Sequence, residues 1–528
     1  MRSILGDGGV LTASHSSFED YTTDWTRTYR GGCAVLLPSS TPEVSALLKY
    51  CHSHDIKVTP QAGNTGLVGG SVPMSTNEVV LSLKRMNKIL QVDECSMTVT
   101  AEAGVVLETL QNTMSDVHAL TVPLDLGAKG SCMIGGNVAT NAGGIRVLRY
   151  GSLHRNVLGV EVVMANGSVV DMTRALPKDN LGYHLKNLFI GSEGSLGVIT
   201  KVVLQLYPRP ASTNLMLLRL ASFAGAVALK GIIYKKFSDI LSAFEFLDDH
   251  CLNELKITNK NLFSKLNFRD TGNDNNGGSR GISGGIYVLI ETSGFHGESD
   301  RTRLEDFVSA CMDSDGHGGE GGLGISDVIV AQDSKQISEL WALRELVPTS
   351  LMQQSRSDKG KLYKYDVSLR IGDMDDLVCE IKHEISLNSV LNSFKYRSAF
   401  GIDDTRYEIF NFGHIGDGNL HLNVLVRPLP NLRIDSSRDE CTAGNNTSVF
   451  SEDEKYQVIE MIHKEINTII FNGIVKRNGS FSAEHGVGQQ KLSYLLLTKS
   501  EQEIALMRSL KREFDPMNIL NQGKVIDF

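Results

Sequence analysis

Residues able to do chemistry gather in the last quarter of the chain. Asn411–Asn423 reads NFGHIGDGNLHLN and Ser480–Gly488 reads SFSAEHGVG. In the first segment Ile409–Phe412 reads as a strand, GDGN at 416–419 as a tight connection and Leu420–Val424 as the returning strand. His421 and Asn423 are two apart, so a strand puts them on one face. His414 comes from the other side of the turn and can reach the same point. Two imidazoles at one point suit a divalent metal, with a carboxylate still needed. The second segment sets Glu484 beside His485. A strand would throw them to opposite faces, whereas a loop of small residues can present both. Any one of these histidines, taken singly, is more simply read as a hydrogen-bonded structural residue; the combination points to metal or acid–base chemistry. Upstream, Arg344 (WALRE) and Lys364 (YKYD) stand on segments that otherwise read as core-facing. An arginine fork and a lysine point charge suit a carboxylate ligand, although on these two residues alone ordinary surface charge is the plainer reading.

Glycine marks a second kind of site. Pro123–Gly144, PLDLGAKGSCMIGGNVATNAGG, holds glycines at 127, 130, 135, 136, 143 and 144. Glycine costs backbone entropy and packs nothing, so a dense run means tight bends or close approach. Ile134, Val138 and Ile145 are interleaved with these glycines, which a solvated loop rarely shows, and the stretch reads as backbone lying against a flat, polar cofactor. Gln61–Ser71, QAGNTGLVGGS, has glycines at 63, 66, 69 and 70 and reads as a nest of amides for a diphosphate. Gly191–Thr200, GSEGSLGVIT, repeats the theme.

The elements that must position these loops follow from periodicity. Val35–Leu37 reads as a strand. Thr41-Pro42 opens a helix, with Thr41 as N-cap and Pro42 at its first position; Val44, Leu47, Leu48 and Cys51 follow at helical spacing. Ile56–Pro60 is the next strand and runs into the first glycine loop. Val79–Leu83 and Met97–Ala101 alternate as strands, and a helix runs from Gly104 through Leu107, Leu110 and Met114. Glu161–Met164 and Ser168–Asp171 flank an Asn166-Gly167 turn, a hairpin signal. Val198–Leu206 is an apolar strand, and Pro208 and Pro210 close the region. Polar inserts interrupt the chain at 271–285, 313–324 and 436–454. The formal Gly316-x-Gly318-x-x-Gly321 fingerprint has no strand before it and no helix after it, so it is discarded. The domains expected are 1–210, 211–475 and a C-terminal segment, 476–528.

At 528 residues the chain is too long for one core. Its 41% apolar and 21% charged residues are ordinary for a globular protein, and a net charge of -9 argues against a nucleic-acid surface. Eight cysteines, at 33, 51, 95, 132, 251, 311, 379 and 441, show no CxxC; they read as reduced thiols of an intracellular protein. The most apolar window, Leu215–Ile233, is broken by Arg219 and Lys230 and falls short of the roughly 20 residues of a membrane span. The chain therefore reads as soluble. No transit peptide is visible at its N-terminus.

Taken together, PLDLGAKGSCMIGGNVATNAGG, LRYGSLH, KDNLGYHLKNLFIGSEGSLGVIT, YKYDVSL, GHIGDGNLHLN and SAEHGVG closely resemble the D-2-hydroxyglutarate dehydrogenases and the FAD-linked D-lactate dehydrogenases, from about Leu5 to Lys524 apart from the polar inserts. The resemblance implies an α+β protein: a two-part FAD-binding domain of the vanillyl-alcohol-oxidase type, then an α+β cap domain that carries the substrate, with a closing segment (Asp515-Pro516, Asn518–Asn521) returning to the flavin side. It assigns the diphosphate loop to Gly63, Asn64, Thr65, Gly66, Gly70 and Ser71. The isoalloxazine bed falls on Pro123, Gly130, Ser131, Gly135, Gly136, Asn137, Thr140 and Gly143, with Glu193, Gly194 and Ile199 near the flavin. His414, His421 and Glu484 resemble zinc ligands, Arg344, Lys364 and Asn423 resemble substrate contacts, and His485 resembles the base, itself in contact with substrate. The implied activity is FAD-dependent oxidation of a D-2-hydroxy acid, with D-2-hydroxyglutarate ahead of D-lactate because a dianion would use both Arg344 and Lys364.

The implied partners are that acid and an electron acceptor: an electron-transfer flavoprotein, a quinone, a cytochrome or a 2-oxo acid. A homodimer and a mitochondrial location are further expectations from the resemblance. Pro348 stands where the family has a hydroxylated substrate contact, with Thr349 and Ser350 next to it. Met133 stands where a histidine or glutamine is frequent, so no covalent histidyl–flavin bond is expected there. Gln522 replaces a proline. Two readings of other classes stay open: a metal hydrolase built on the two histidines and the glutamate, and a flavin-free carboxylate-binding module.

Overall fold

The computed structural model describes residues 1–263, 285–313, 323–357, 360–393, 396–398, 401–403, 407–427 and 452–528. The discarded fingerprint at 316–321 and most of the polar inserts lie outside them. The chain forms two compact units, Met1–Pro210 with Ser482–Phe528, and Ala211–Phe481.

The first unit holds two main sheets and a two-stranded pair, Leu120–Thr121 with Tyr207–Pro208. In the four-stranded one, Ala34–Leu36 and Val58–Gln61 both run parallel to Val79–Ser82, with Val10–Leu11 antiparallel at the edge. The helix Thr41–Ser53 makes the crossover from Ala34–Leu36 to Val58–Gln61, the two parallel strands that flank Val79–Ser82. Its buried residues Val44, Leu47, Leu48 and Cys51 give one apolar stripe; burial pushes the Cys51 thiol up to about 12. The cap falls one residue earlier than expected. Ser40 has the extended backbone, and its side chain accepts from the Glu43 N–H, while Thr41 is already helical and donates its hydroxyl to buried Glu161 at 2.6 Å.

The five-stranded sheet is antiparallel, in the order Ile89–Asp93, Thr98–Glu102, Val198–Gln205, Val157–Val163, Val169–Met172. Asn166-Gly167 makes the expected turn, with Gly167 at φ +84° and Val163 opposite Val169. Gly104 is not in the helix that follows, which spans Leu107–His118. A side chain at Gly104 would strike the Leu83 and Met86 carbonyls, so this glycine serves a crossing of chains. The C-terminal helix Glu501–Phe514 starts on a Ser500–Glu503 capping box. Beyond it, Val58 donates to the Ile519 carbonyl and receives the Asn521 N–H, at 2.7 and 2.9 Å, which ties the chain end to the strand that feeds the first glycine loop.

The second unit is built on a seven-stranded sheet in the order Ile325–Val330, Ser212–Leu220, Ile286–Gly294, Leu241–Asp248, Tyr407–Gly413, Asn419–Val426, Lys361–Ser368. Its adjoining pairs are antiparallel. Every residue of Leu241–Asp248, Ile286–Gly294 and Asn419–Val426 is buried, so these strands are covered on both faces. Polar side chains there must find partners or ligands. The apolar window 215–233 belongs to the strand Ser212–Leu220 and the helix Phe223–Phe237, and no helix among the described residues is long and apolar enough to cross a membrane. Seven of the cysteines are described and all are free thiols; Cys441 lies outside the described residues.

Candidate functional site: glycine loops in one unit, a buried polar cluster in the other

In the first unit the strand Val58–Gln61 delivers Gln61, whose amide donates to the Tyr21 and Ser71 carbonyls at 2.8 and 2.9 Å. Asn64, at φ +54°, donates to the Asp20 and Thr23 carbonyls and accepts from the Ser71 hydroxyl at 2.7 Å. Asn64 and Ser71 thus hold the loop's shape by bonding to each other and to the chain. Gly63 and Gly136 let this loop meet the 123–144 stretch: a Cβ on Gly63 would strike the Ser131 carbonyl, and one on Gly136 would lie 2.8 Å from the Ala62 Cβ. Gly66 differs, because its Cβ would find no atom of the described residues within 4 Å. The Gly70 carbonyl accepts from Asn521 and from the buried Lys524 ammonium, at 3.1 and 3.2 Å.

Within Pro123–Gly144 the helix Ile134–Thr140 buries Ile134 and Val138 in the unit's core. Gly135 backs onto Ala103, and Thr140 bonds back to the Gly136 carbonyl at 3.1 Å. Asn137 is buried, and its Oδ1 has no hydrogen-bond partner among the described residues. Pro123 is buried, while Gly130 and Ser131 are exposed. Gly194 sits at φ +75° against Pro60, and the Ile199 side chain lies in the apolar core. The open Gly66, and a buried amide oxygen without a partner among the described residues, fit a bound flavin nucleotide.

Glu484 and His485 lie in the irregular stretch after Ser482, and the Glu484 Oε1 is 3.7 Å from the His485 Nε2. The other Glu484 oxygen accepts from the Gly144 N–H at 2.7 Å, at a point where Gly143 has no room for a side chain. Glu193 secures the far end of that stretch. Its two oxygens accept from the Val487 and Gly488 N–H groups at 2.7 and 3.0 Å. Burial raises its carboxyl above the usual range.

In the second unit the expected hairpin forms, with Phe412 opposite His421 and Phe410 opposite Asn423. On the other side of the same strand, Lys364 pairs with Asn423 and Asp366 with His421, so the register alone sets these four on one face. The His421 Nδ1 is 3.9 Å from Asp366, and the His414 and His421 rings lie 5.2 Å apart, edge to face. His414 Nδ1 meets the Glu245 Oε1 at 2.7 Å, and the Arg344 Nε donates to the Glu245 Oε2 at 3.1 Å. The Arg344 guanidinium lies 4.7 Å over the Phe412 ring. A carboxylate on one nitrogen of an imidazole is the usual arrangement behind a metal-bound histidine, so His414 and His421 fit a divalent ion.

The plainer expectation of surface charge at Arg344 and Lys364 fails. Arg344 is 7% exposed, because it ends the helix Ser334–Glu345 on its buried side, and burial holds the Lys364 ammonium down to about 8. Pro348 falls in the first turn of the next helix, Val347–Ser357. Ser350 is buried, with its hydroxyl accepting from Asn259 at 3.0 Å, so it faces a protein partner. Glu245 and Asp366 are not singled out by the sequence reading. The usable signal was a lone acid in an apolar strand, as in LSAFEFLD and YKYDVS.

The profile of the FAD binding domain family matches residues 33–173, and that of the C-terminal domain of FAD linked oxidases matches 209–525. A mitochondrial D-2-hydroxyglutarate dehydrogenase of Arabidopsis thaliana is 39% identical over 99% of this chain and 80% of its own length. A D-2-hydroxyglutarate–pyruvate transhydrogenase of Saccharomyces cerevisiae is 34% identical over 99% and 93%. A solved structure of p-cresol methylhydroxylase superposes with a TM-score of 0.69 over 100% of this chain and 95% of that one, at 17% identity, which extends the likeness to the fold. The chain has the vanillyl-alcohol-oxidase type of FAD-binding fold and belongs to the FAD-linked oxidases, within the D-2-hydroxyglutarate dehydrogenase family.

Proposed function

We propose that the protein oxidises a D-2-hydroxy acid to the 2-oxo acid, with D-2-hydroxyglutarate as the preferred substrate. The carrying observation is the pair of cations in the second unit, buried Arg344 and half-buried Lys364, together with the family. A substrate with two carboxylates engages both cations, whereas D-lactate engages one.

FAD supplies a two-electron acceptor for the C2 hydride, and a divalent ion, zinc in our reading, supplies a Lewis acid for the 2-hydroxyl. The chain's residues do the rest. Arg344 clamps one carboxylate, and Lys364 and Asn423 hold the remainder of the substrate. A ring nitrogen of neutral His485 takes the hydroxyl proton as the hydride leaves, and Glu484 beside it steadies the imidazolium. His414, His421 and Glu484 are the proposed ion ligands. The two glycine loops, with Asn137, Thr140 and Glu193, are the proposed flavin contacts. We assign the cap role to Ala211–Phe481, which bears the substrate cations. The acceptor we propose is a second 2-oxo acid, on the strength of the yeast relative's name, and the location is the mitochondrion, on the names of the relatives.

The test is the visible spectrum of the purified protein, followed anaerobically as D-2-hydroxyglutarate or D-lactate is added. Flavin bleached by the dianion at lower concentration supports the reading. Flavin bleached by neither acid overturns the substrate, and folded protein without flavin returns the metal hydrolase to the front. Re-oxidation of the bleached flavin by pyruvate tests the acceptor, metal analysis of the same sample tests zinc, and fractionation of cells tests the location.

A further inference from the structure

We propose that Glu245 is the positioning residue of the substrate- and metal-binding cluster, aiming Arg344 and His414 with one carboxylate. This rests on the roles proposed above for those two residues.

Glu245 sits inside LSAFEFLD, where Phe244 and Phe246 are 1% and 0% exposed and Glu245 itself 1%. A charge in that position is costly unless it is paired and hydrogen-bonded. Among the described residues each of its oxygens has one partner: Oε2 takes the Arg344 Nε–H, and Oε1 meets the His414 Nδ1. The partners come from separate elements, the end of the helix Ser334–Glu345 and the turn after Tyr407–Gly413.

Two consequences follow from the atoms engaged. With Nε committed and the guanidinium plane set over Phe412, the Nη edge of Arg344 is the edge that meets a substrate carboxylate. With the Nδ1–H of His414 donated to Glu245, the imidazole lone pair stands on Nε2, the tautomer a metal requires.

Glu245→Gln is nearly isosteric but has one acceptor and one donor group. If its oxygen stays on Arg344, its NH2 faces the His414 Nδ1 and forces the proton to Nε2. If it turns over, the NH2 faces the Arg344 Nε–H. The experiment compares flavin-loaded wild type, Glu245→Gln and Glu245→Asp, reading zinc affinity by competition with a chromophoric chelator and KM for D-2-hydroxyglutarate. The flavin spectrum serves as the check on folding. We expect Glu245→Gln to lose about 10–100-fold in zinc affinity or to raise KM by a similar factor. Glu245→Asp keeps both acceptor oxygens and recovers most of the loss. Wild type that binds zinc while Glu245→Gln matches it in both readouts overturns the role of Glu245 alone. Wild type that takes up no zinc overturns the metal reading, and the His414 half of this one with it. Should Glu245→Gln not fold, Glu245→Asp decides: an Asp variant as impaired as an alanine at 245 refutes charge-based positioning.

Discussion

Replacing Glu193 with alanine tests how the Glu484–His485 stretch is held. The Glu193 carboxylate receives the Val487 and Gly488 N–H groups at 2.7 and 3.0 Å. Gly486 between them and His485 is at φ +83°, with the Glu193 oxygen where a Cβ would go. Removing the carboxylate orphans two amides, at about 1–3 kcal/mol each. Even the lower end, about 2 kcal/mol for the pair, is about 30-fold in the fraction of enzyme with His485 in place. Glu193→Gln keeps one acceptor and sets an NH2 against the second amide, so about 1 kcal/mol and a five-fold effect are expected. The assay is anaerobic stopped-flow reduction of bound flavin by D-2-hydroxyglutarate, with thermal unfolding followed by flavin fluorescence. The expected order is wild type, Gln, Ala in both rate and melting temperature. An alanine variant that melts lower but reduces its flavin at the wild-type rate refutes the link between this stretch and catalysis. One unchanged in both refutes the clamp itself.

His485→Ala should slow flavin reduction by about 10²–10⁴-fold with FAD still bound; an unchanged rate removes it as the base. His414→Ala should lose its metal on dialysis, and wild-type zinc content in that variant strikes it from the ligand set. Lys364 gives a pH dependence of known sign. Its folded value of about 8 lies below its ordinary 10.5, so the folded protein sheds a proton the unfolded chain still holds, and its stability contribution rises between those limits. Binding runs the other way: kcat/KM for the dianion should fall as pH rises through about 8 and stay level in Lys364→Arg, and a level wild-type profile refutes the contact. Gly66→Ala should leave the apoprotein as stable or slightly more so, since no atom of the described residues is near. It should weaken FAD binding in titration, and unaltered FAD affinity means that the cofactor does not approach that Cα.

Much of the scaffold was legible because its causes are local. Val44, Leu47, Leu48 and Cys51 announce a helix by spacing and bury as that spacing requires. Asn166-Gly167 announces its hairpin because few other pairs accept that turn. The glycine loops stood out because only close approach or unusual backbone repays so much lost entropy. The errors were local choices decided by distant atoms: Ser40 caps the helix, and Thr41 is drawn instead to Glu161, 120 residues on. Gly104 looked like a helix start and serves a contact with the Leu83 and Met86 carbonyls.

By itself the sequence determined the class of protein, the helix and hairpin signals, the glycine loops and the segment bearing His414, His421 and Asn423, since backbone freedom, periodicity and turn chemistry act over a few residues. Only the tertiary structure decided which charges are buried and what they face. Lys364 faces Asn423 through strand register, and Glu245 meets Arg344 and His414 across 99 and 169 residues of chain. No local rule selects such partners. They are chosen when whole strands and helices stack, and the cost of a lone charge in the interior leaves few acceptable pairings.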